Sequence, residues 1–166
     1  EMLRYVLDAI RQVHNGPIVV VVAPDSELVR ERLNDGIEYV IQEETLGTGN
    51  ALLQAEKLLQ GRASNVLVMY GDTPLIRPQT LDNLMAKHKH DDAVATLLTS
   101  TLVPPDTLGR VVRDENGTGR ILRIVEERDA TESERAIREV NGGMYCFTGA
   151  WLWPALHELS PSSSGE

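Results

Sequence analysis

An unbroken apolar run leads directly into a glycine and a carboxylate: Val66-Leu-Val-Met-Tyr70 is followed by Gly71 and Asp72. An apolar stretch without alternation is typical of a strand buried on both faces, as in the middle of a parallel sheet. Ligands of open α/β sheets bind beyond the carboxyl ends of such strands. Asp72 would offer a hard oxygen ligand there, of the kind that Mg²⁺ prefers. The alternative is a strand that simply ends in a common Gly-Asp turn.

A glycine-rich segment, Gln42 to Ala51, lies between a strand-like stretch and a helical one. Gly47 and Gly49 allow a backbone to approach a ligand closely, and Thr48 is placed to cap the helix that follows. Amides at a helix start favour an anion or an electron-rich group. Gly-Thr-Gly often only makes a turn into a helix, so this signal is weak alone. Its place one strand and one helix before Asp72 predicts that both loops open on the same edge of the sheet.

Strand-like and helical segments alternate along the chain. Apolar residues recur at helical spacing from Met2 to Val13, and a β-branched run over Ile18 to Ala23 predicts an interior strand. The other predicted helices cover 26–33, 48–59, 78–89, 132–138 and 150–159, and the other predicted strands cover 37–41, 93–101 and 140–147. Segments 110–113 and 120–126, joined by a turn at 114–117, predict a hairpin. The pattern predicts an α/β class: a Rossmann-like, mostly parallel sheet with helices on both faces and a β-hairpin excursion.

Two segments, Gln42 to Ala51 and Tyr70 to Ile76, resemble the uridylyltransferase domain of bacterial N-acetylglucosamine-1-phosphate uridylyltransferase. The resemblance continues in order through 109–113, 124–131 and 137–141 and covers most of the chain. It implies the nucleotide-diphospho-sugar transferase fold. It also implies transfer of a uridylyl group from UTP to N-acetyl-α-D-glucosamine 1-phosphate, which gives UDP-N-acetylglucosamine and pyrophosphate. Direct in-line displacement needs no protein nucleophile, and the sequence shows no evident Ser-His-Asp or Cys-His arrangement.

The resemblance further implies roles for individual residues. Gln42 reads the uracil edge, assisted by Gly47 and Thr48, and Asp72 is the catalytic residue that holds Mg²⁺. Among the other substrate-binding residues, Tyr70 and Gly71 lie near the nucleoside and the sugar. The residues that bind the N-acetylglucosamine moiety are Gly109, Glu126 and Asn141. Glu126 has a plainer interpretation, because a glutamate that ends a strand beside other charged residues is often only a surface charge.

Several features of the family are not found in these residues. Its Gly-rich G-T-R-M loop should precede them, and its second metal-binding asparagine and β-helical acetyltransferase domain should follow them. Residues 1–166 are therefore interpreted as a partial nucleotidyltransferase domain, which we expect to be inactive or nearly so alone; a homo-oligomer is possible in the full-length protein. Asn50, Leu108 and Gly142 stand where the family usually has histidine, tyrosine and threonine, so the base and sugar preferences stay open.

Charge and composition narrow the class of function. The chain has 25 acidic and 16 basic residues and a formal net charge of −9, which argues against binding to nucleic acid or to an anionic membrane surface. With no apolar run near the roughly 20 residues of a membrane span and no signal peptide, we expect a cytoplasmic protein. The single cysteine, Cys146, is expected to be a small core residue, and His88 and His90 are expected to lie at a solvated helix end.

Three other functions stay open at this point. The first is another sugar-1-phosphate nucleotidyltransferase of the same fold, with a different base or sugar. The second is a nucleotide-sugar-binding module without catalysis. The third is a flavodoxin-like or receiver domain in which Asp72 accepts a phosphoryl group or binds Mg²⁺; the Gly-Thr-Gly loop, the hairpin and the absence of an early acidic pair count against it.

Overall fold

The structure, a computed structural model, describes residues 2–33, 36–44, 46–105, 107–114, 116 and 118–159. The helices are α1 (Met2–Arg11), α2 (Glu27–Arg32), α3 (Gly47–Gln54), α4 (Glu56–Leu59), α5 (Pro78–His90), α6 (Glu132–Arg135) and α7 (Gly149–His157). The strands are β1 (Ile18–Val22), β2 (Ile37–Ile41), β3 (Asn65–Met69), β4 (Ala95–Thr101), β5 (Arg110–Arg113), β6 (Ile121–Val125) and β7 (Glu139–Thr148). A short 3₁₀ helix covers Glu127–Asp129.

These strands form two sheets. β1 and β2 pair in parallel, from Ile18 opposite Ile37 onward. β7 pairs antiparallel with both β3 and β4, and the hairpin β5–β6 joins β7 through Arg110 opposite Val140. The predicted α/β class and the predicted hairpin are confirmed.

The pairing inside the five-stranded sheet differs from the mostly parallel expectation. β3 and β4 run in the same direction, as a strand–helix–strand unit predicts, but they do not pair with each other. The late strand β7 lies between them and runs the opposite way, so each of their ladders is antiparallel. β7 comes after the hairpin in the chain, so neither its position between β3 and β4 nor its direction can be predicted from the local sequence of those two strands.

β3 lies between two apolar layers. Val66 and Val68 contact a core formed with α3, α4 and α7, which includes Trp153. Leu67 and Met69 contact a second core formed with α1 and α5. The unalternated apolar run is therefore a strand covered on both faces, as predicted.

Two helix boundaries differ from the sequence-based expectation. The helix predicted over 48–59 is divided at Ala55 into α3 and α4. α6 ends at Arg135 rather than at 138, and its start is fixed by a capping box between Thr131 and Glu134. The turn predicted at 114–117 lies partly outside the described residues. Within the part of the chain that the structure describes, no helix is both long and apolar enough to cross a bilayer.

One histidine prediction is wrong. His88 is only 2% exposed, whereas His90 is exposed as expected. The Nδ1 of His88 lies 2.9 Å from Thr96 Oγ1, and its Nε2 lies 3.3 Å from Thr148 Oγ1. The His88 ring therefore joins α5 to β4 and β7. Burial lowers the pKa of His88, an effect that the charge of Asp92 partly offsets. Cys146 is a buried core residue, as predicted, and burial raises the pKa of its thiol to about 11.

Candidate active site

The turn after β3 presents an exposed aspartate. β3 ends at Met69, and Tyr70, Gly71 and Asp72 begin the turn that follows it. The Thr73 hydroxyl donates to the Tyr70 carbonyl across 2.9 Å within this turn. Within the described residues, the Asp72 carboxylate forms no hydrogen bond or ion pair. Its oxygens are therefore available to a ligand at the carboxyl end of a buried strand.

This environment fits a magnesium ligand. Among the described residues no group of three or more His, Cys, Asp or Glu side chains could hold a metal ion. Mg²⁺, however, commonly binds one or two carboxylates together with substrate phosphates and retained waters. A single exposed aspartate at the sheet edge meets that requirement.

Gln42 and the start of α3 form a first polar group. The Gln42 backbone N–H donates to the Val22 carbonyl across 2.9 Å, which places Gln42 at the end of the β1–β2 sheet. Its side-chain Nε2 donates to the Gly47 carbonyl across 3.2 Å and to Asn50 Oδ1 across 3.1 Å. Gly47 has φ +88°, a left-handed conformation that favours glycine, and this turn brings its carbonyl back toward Gln42.

The predicted cap of α3 is wrong. α3 begins at Gly47, its N-cap residue is Leu46, and no side chain caps it. Thr48 therefore lies inside the first turn, where it is exposed. A role for Thr48 in ligand binding stays a prediction.

Gly109, Glu126 and Asn141 form a second polar group. The Gly109 carbonyl accepts the Asn141 backbone N–H across 2.8 Å. An ideal Cβ on Gly109 would lie 3.1 Å from Glu126 Oε1, so the glutamate carboxylate lies directly against the glycine. Three residues that are distant in sequence thus meet where the hairpin joins β7. The resemblance had assigned all three to the sugar.

Tyr145 belongs to this second group and was missed in the sequence. The Asn141 side-chain amide donates to the Tyr145 hydroxyl across 2.5 Å, and Asn141 Oδ1 accepts the Gly143 N–H across 3.0 Å. Burial raises the pKa of Tyr145, and the neighbouring Tyr70 and Glu126 raise it further, while the Asn141 hydrogen bond lowers it. The phenol is therefore neutral near pH 7. Its position four residues after Asn141, on the same strand face, is the signal that could have found it.

Tyr70 joins the turn after β3 to the second group. Gly143 has φ +69°, and a Cβ on it would lie 2.4 Å from Tyr70 Cε2, so the Tyr70 ring lies against the glycine backbone. Next to it, a Cβ on Gly142 would lie 2.7 Å from the Leu98 carbonyl oxygen, where the β4–β7 register shifts. Among the described residues, no side-chain hydrogen bond or ion pair joins the Gln42 group, the Tyr70 group and the Asp72 carboxylate to one another.

These features define a class of protein: an α/β domain with a glycine-rich loop, an exposed aspartate after a strand that is covered on both faces, and a polar group at a hairpin. The chain matches the MobA-like NTP transferase domain over residues 1–162 and belongs to that family. Curated relatives of similar sequence include the bifunctional protein GlmU of Brevibacillus brevis, 42% identical over 166 residues, which are 99% of this chain and 36% of that protein. GlmU of Pelotomaculum thermopropionicum is 43% identical over 163 residues, 98% of this chain and 35% of that protein.

The chain therefore spans about a third of the length of these relatives, and the family resemblance drawn from the sequence is confirmed. Among solved structures, UDP-glucose pyrophosphorylase complexed with UDP-glucose is similar with a TM-score of 0.78. That match covers 99% of this chain and 70% of the other, at 15% identity, and supports the fold alone.

Proposed function

We propose that the protein containing these residues transfers a uridylyl group from UTP to N-acetyl-α-D-glucosamine 1-phosphate, forming UDP-N-acetylglucosamine and pyrophosphate. The observation that carries the proposal is the meeting of Gly109, Glu126 and Asn141 beside Tyr70. Similarity to the GlmU proteins supports the same substrates. A carboxylate and a side-chain amide at one place suit an acetamido sugar, which offers an N–H, a carbonyl and hydroxyls.

The two polar groups each bind one of the two substrates. Gln42 orients the uracil of UTP, and Glu126 and Asn141 orient the sugar so that its phosphate oxygen faces the α-phosphorus. Positioning of this kind lowers the barrier by replacing a bimolecular encounter with a fixed geometry. The sugar phosphate attacks directly and pyrophosphate leaves, so no protein nucleophile takes part.

Asp72 would hold Mg²⁺ beside the phosphates. When bound, the ion neutralises charge that develops on the phosphoryl oxygens during transfer. The Asp72 carboxylate fixes the position of that charge relative to β3. We also propose that turnover requires more of the nucleotidyltransferase domain than residues 1–166, because the resemblance places further phosphate-binding groups outside them.

The test is pyrophosphate release by the full-length protein. It would be measured with UTP, CTP, ATP and GTP against N-acetylglucosamine 1-phosphate and glucose 1-phosphate, with and without a chelator. We expect the pair of UTP and N-acetylglucosamine 1-phosphate to be preferred, and activity to disappear on chelation. Tight binding of these substrates without pyrophosphate release would indicate a binding module instead.

A second candidate is a transferase of the same kind with another sugar. Leu108 is exposed beside Gly109, and the backbone at Gly142 leaves no space for the larger residue that the family usually has there. Both positions border the proposed sugar site. Higher kcat/KM with glucose 1-phosphate than with its acetamido analogue in the same assay would favour this candidate.

A further inference from the structure

Gln42 uses both hydrogens of its side-chain amide inside the protein. The Gly47 carbonyl is only an acceptor, so the bond of 3.2 Å to it must come from the Gln42 amide nitrogen. The second N–H of that nitrogen is directed to Asn50 Oδ1, 3.1 Å away. A glutamine amide has two N–H donors and one carbonyl acceptor, so the carbonyl oxygen Oε1 is the group left to contact a ligand.

Asn50 is itself held in one orientation. Gln54 Nε2 donates to the Asn50 backbone carbonyl across 3.3 Å and to Asn50 Oδ1 across 3.4 Å, one turn further along α3. Asn50 Oδ1 thus receives N–H donors from two glutamines, one on each side. These three half-buried side chains form a chain of hydrogen bonds from Gln54 through Asn50 to Gln42. Because Gln54 and Asn50 both lie on α3, their hydrogen bonds fix the position of the oxygen that accepts from Gln42.

We propose that Asn50 is a positioning residue that sets base selectivity by turning the carbonyl oxygen of Gln42 toward the base. This inference rests on the proposed function, in which Gln42 contacts uracil. Uracil presents an N3–H, which Gln42 Oε1 accepts. Cytosine presents a lone pair at N3, which would face that same oxygen without a proton between them.

The experiment compares two substitutions at one position in the full-length protein. Asn50→Asp keeps an oxygen that accepts from Gln42, whereas Asn50→Ala removes it. The readout is the kcat/KM for UTP divided by the kcat/KM for CTP, in which any effect on the shared triphosphate cancels. We expect Asn50→Ala to reduce this ratio about tenfold, the effect of losing one orienting hydrogen bond, and Asn50→Asp to preserve it.

The matched control is Asn83→Ala. Asn83 Oδ1 accepts from Gln79 Nε2 across 3.0 Å on the exposed face of α5, so this variant removes the same kind of bond between the same two side-chain types. We expect its UTP to CTP ratio to equal that of wild type. Melting temperatures of all variants would show that each protein is folded at the assay temperature.

The outcomes distinguish a failure of the positioning role of Asn50 from a failure of the proposed uridylyl transfer. An unchanged ratio in Asn50→Ala, or an equal fall in Asn50→Asp and Asn50→Ala, would overturn the positioning role while leaving uridylyl transfer intact. A wild-type protein that transfers no uridylyl group would overturn the proposed function and the inference with it.

Discussion

The side-chain amide of Asn141 donates to the hydroxyl of Tyr145 across 2.5 Å while its oxygen accepts the backbone N–H of Gly143. A backbone N–H can only donate, so the amide has one possible orientation: oxygen toward Gly143 and nitrogen toward Tyr145. One N–H of Asn141 is left for a ligand. Under the proposed function, this N–H of Asn141 would donate to an acceptor on the sugar, such as the acetamido carbonyl.

Tyr145→Phe should weaken binding of the sugar 1-phosphate without affecting UTP. The ring can keep its stacking on Phe147, whose centroid is 5.6 Å away, and only the hydroxyl is lost. We expect kcat/KM for the sugar 1-phosphate to fall roughly 5- to 10-fold, the typical effect of one hydrogen bond. Steady-state kinetics with each substrate varied in turn would measure this.

The control for this prediction is Tyr39→Phe. Tyr39 is half-buried on β2, and its hydroxyl donates to the Leu33 carbonyl across 2.6 Å, far along the chain from the sugar side. A double-mutant cycle adds a second check, because Tyr145→Phe should have no further effect in an Asn141→Ala background. Equal losses for both substrates, or full additivity, would argue against the positioning of Asn141 by Tyr145.

Gly143→Ala should displace the Tyr70 ring. A Cβ would lie 2.4 Å from Tyr70 Cε2, and the left-handed backbone adds a strain of about 1–2 kcal/mol for any side chain. Gly61→Ala is the matched control, since Gly61 has φ +76° but open space around it and therefore carries only the strain. We expect both variants to lose unfolding free energy, Gly143→Ala at least as much as Gly61→Ala, and a loss of sugar-phosphate affinity for Gly143→Ala alone. Unchanged affinity in Gly143→Ala would remove Tyr70 from the sugar site.

Asp72→Asn should lower kcat strongly while leaving the fold intact. The amide keeps the shape of the exposed side chain but loses the charge that would hold Mg²⁺. Loss of a group that stabilises transition-state charge costs about 10²–10³ in kcat. Asp82→Asn, an exposed aspartate on α5, should retain wild-type activity. Activity of Asp72→Asn close to wild type at saturating Mg²⁺ would show that Asp72 only shapes the turn.

His88 should make stability depend on pH. Because burial lowers its pKa in the folded state, the unfolded chain takes up a proton first as the pH falls. The free energy of unfolding is therefore unaffected by His88 above the unfolded pKa of about 6.5. Below that pH it decreases, by at most about 1.4 kcal/mol per pH unit for one proton. Urea unfolding between about pH 7.5 and about pH 5, a range that brackets the unfolded pKa, should show the slope in wild type and in His90→Gln, and a smaller slope in His88→Gln. An equal slope in all three would assign it to other groups.

The sequence predicted the local features well because they depend on local patterns. The apolar run of β3 and the hairpin β5–β6 are confirmed for this reason. The position of β7 between β3 and β4 depends on a segment far along the chain, so the antiparallel ladders were not predictable from either strand. The burial of His88 was not predictable from its helix alone, because its hydrogen-bond partners, Thr96 and Thr148, belong to other elements.

The site residues divide in the same way. Gly109, Glu126 and Asn141 were chosen by resemblance, and the structure brings them together at the junction of the hairpin with β7. The roles proposed for Tyr145 and Asn50 run through other side chains, Asn141 and Gln42. Such roles depend on which atom of an amide faces which partner, and a sequence does not contain that information.

A crystal structure of the full-length protein with UDP-N-acetylglucosamine tests the central claim most directly. We predict that uracil N3–H lies within hydrogen-bonding distance of Gln42 Oε1 and that the acetamido sugar lies against Glu126 and Asn141, below the Tyr70 ring. A sugar bound away from Glu126 and Asn141, or a uracil ring that does not contact Gln42, would contradict the account.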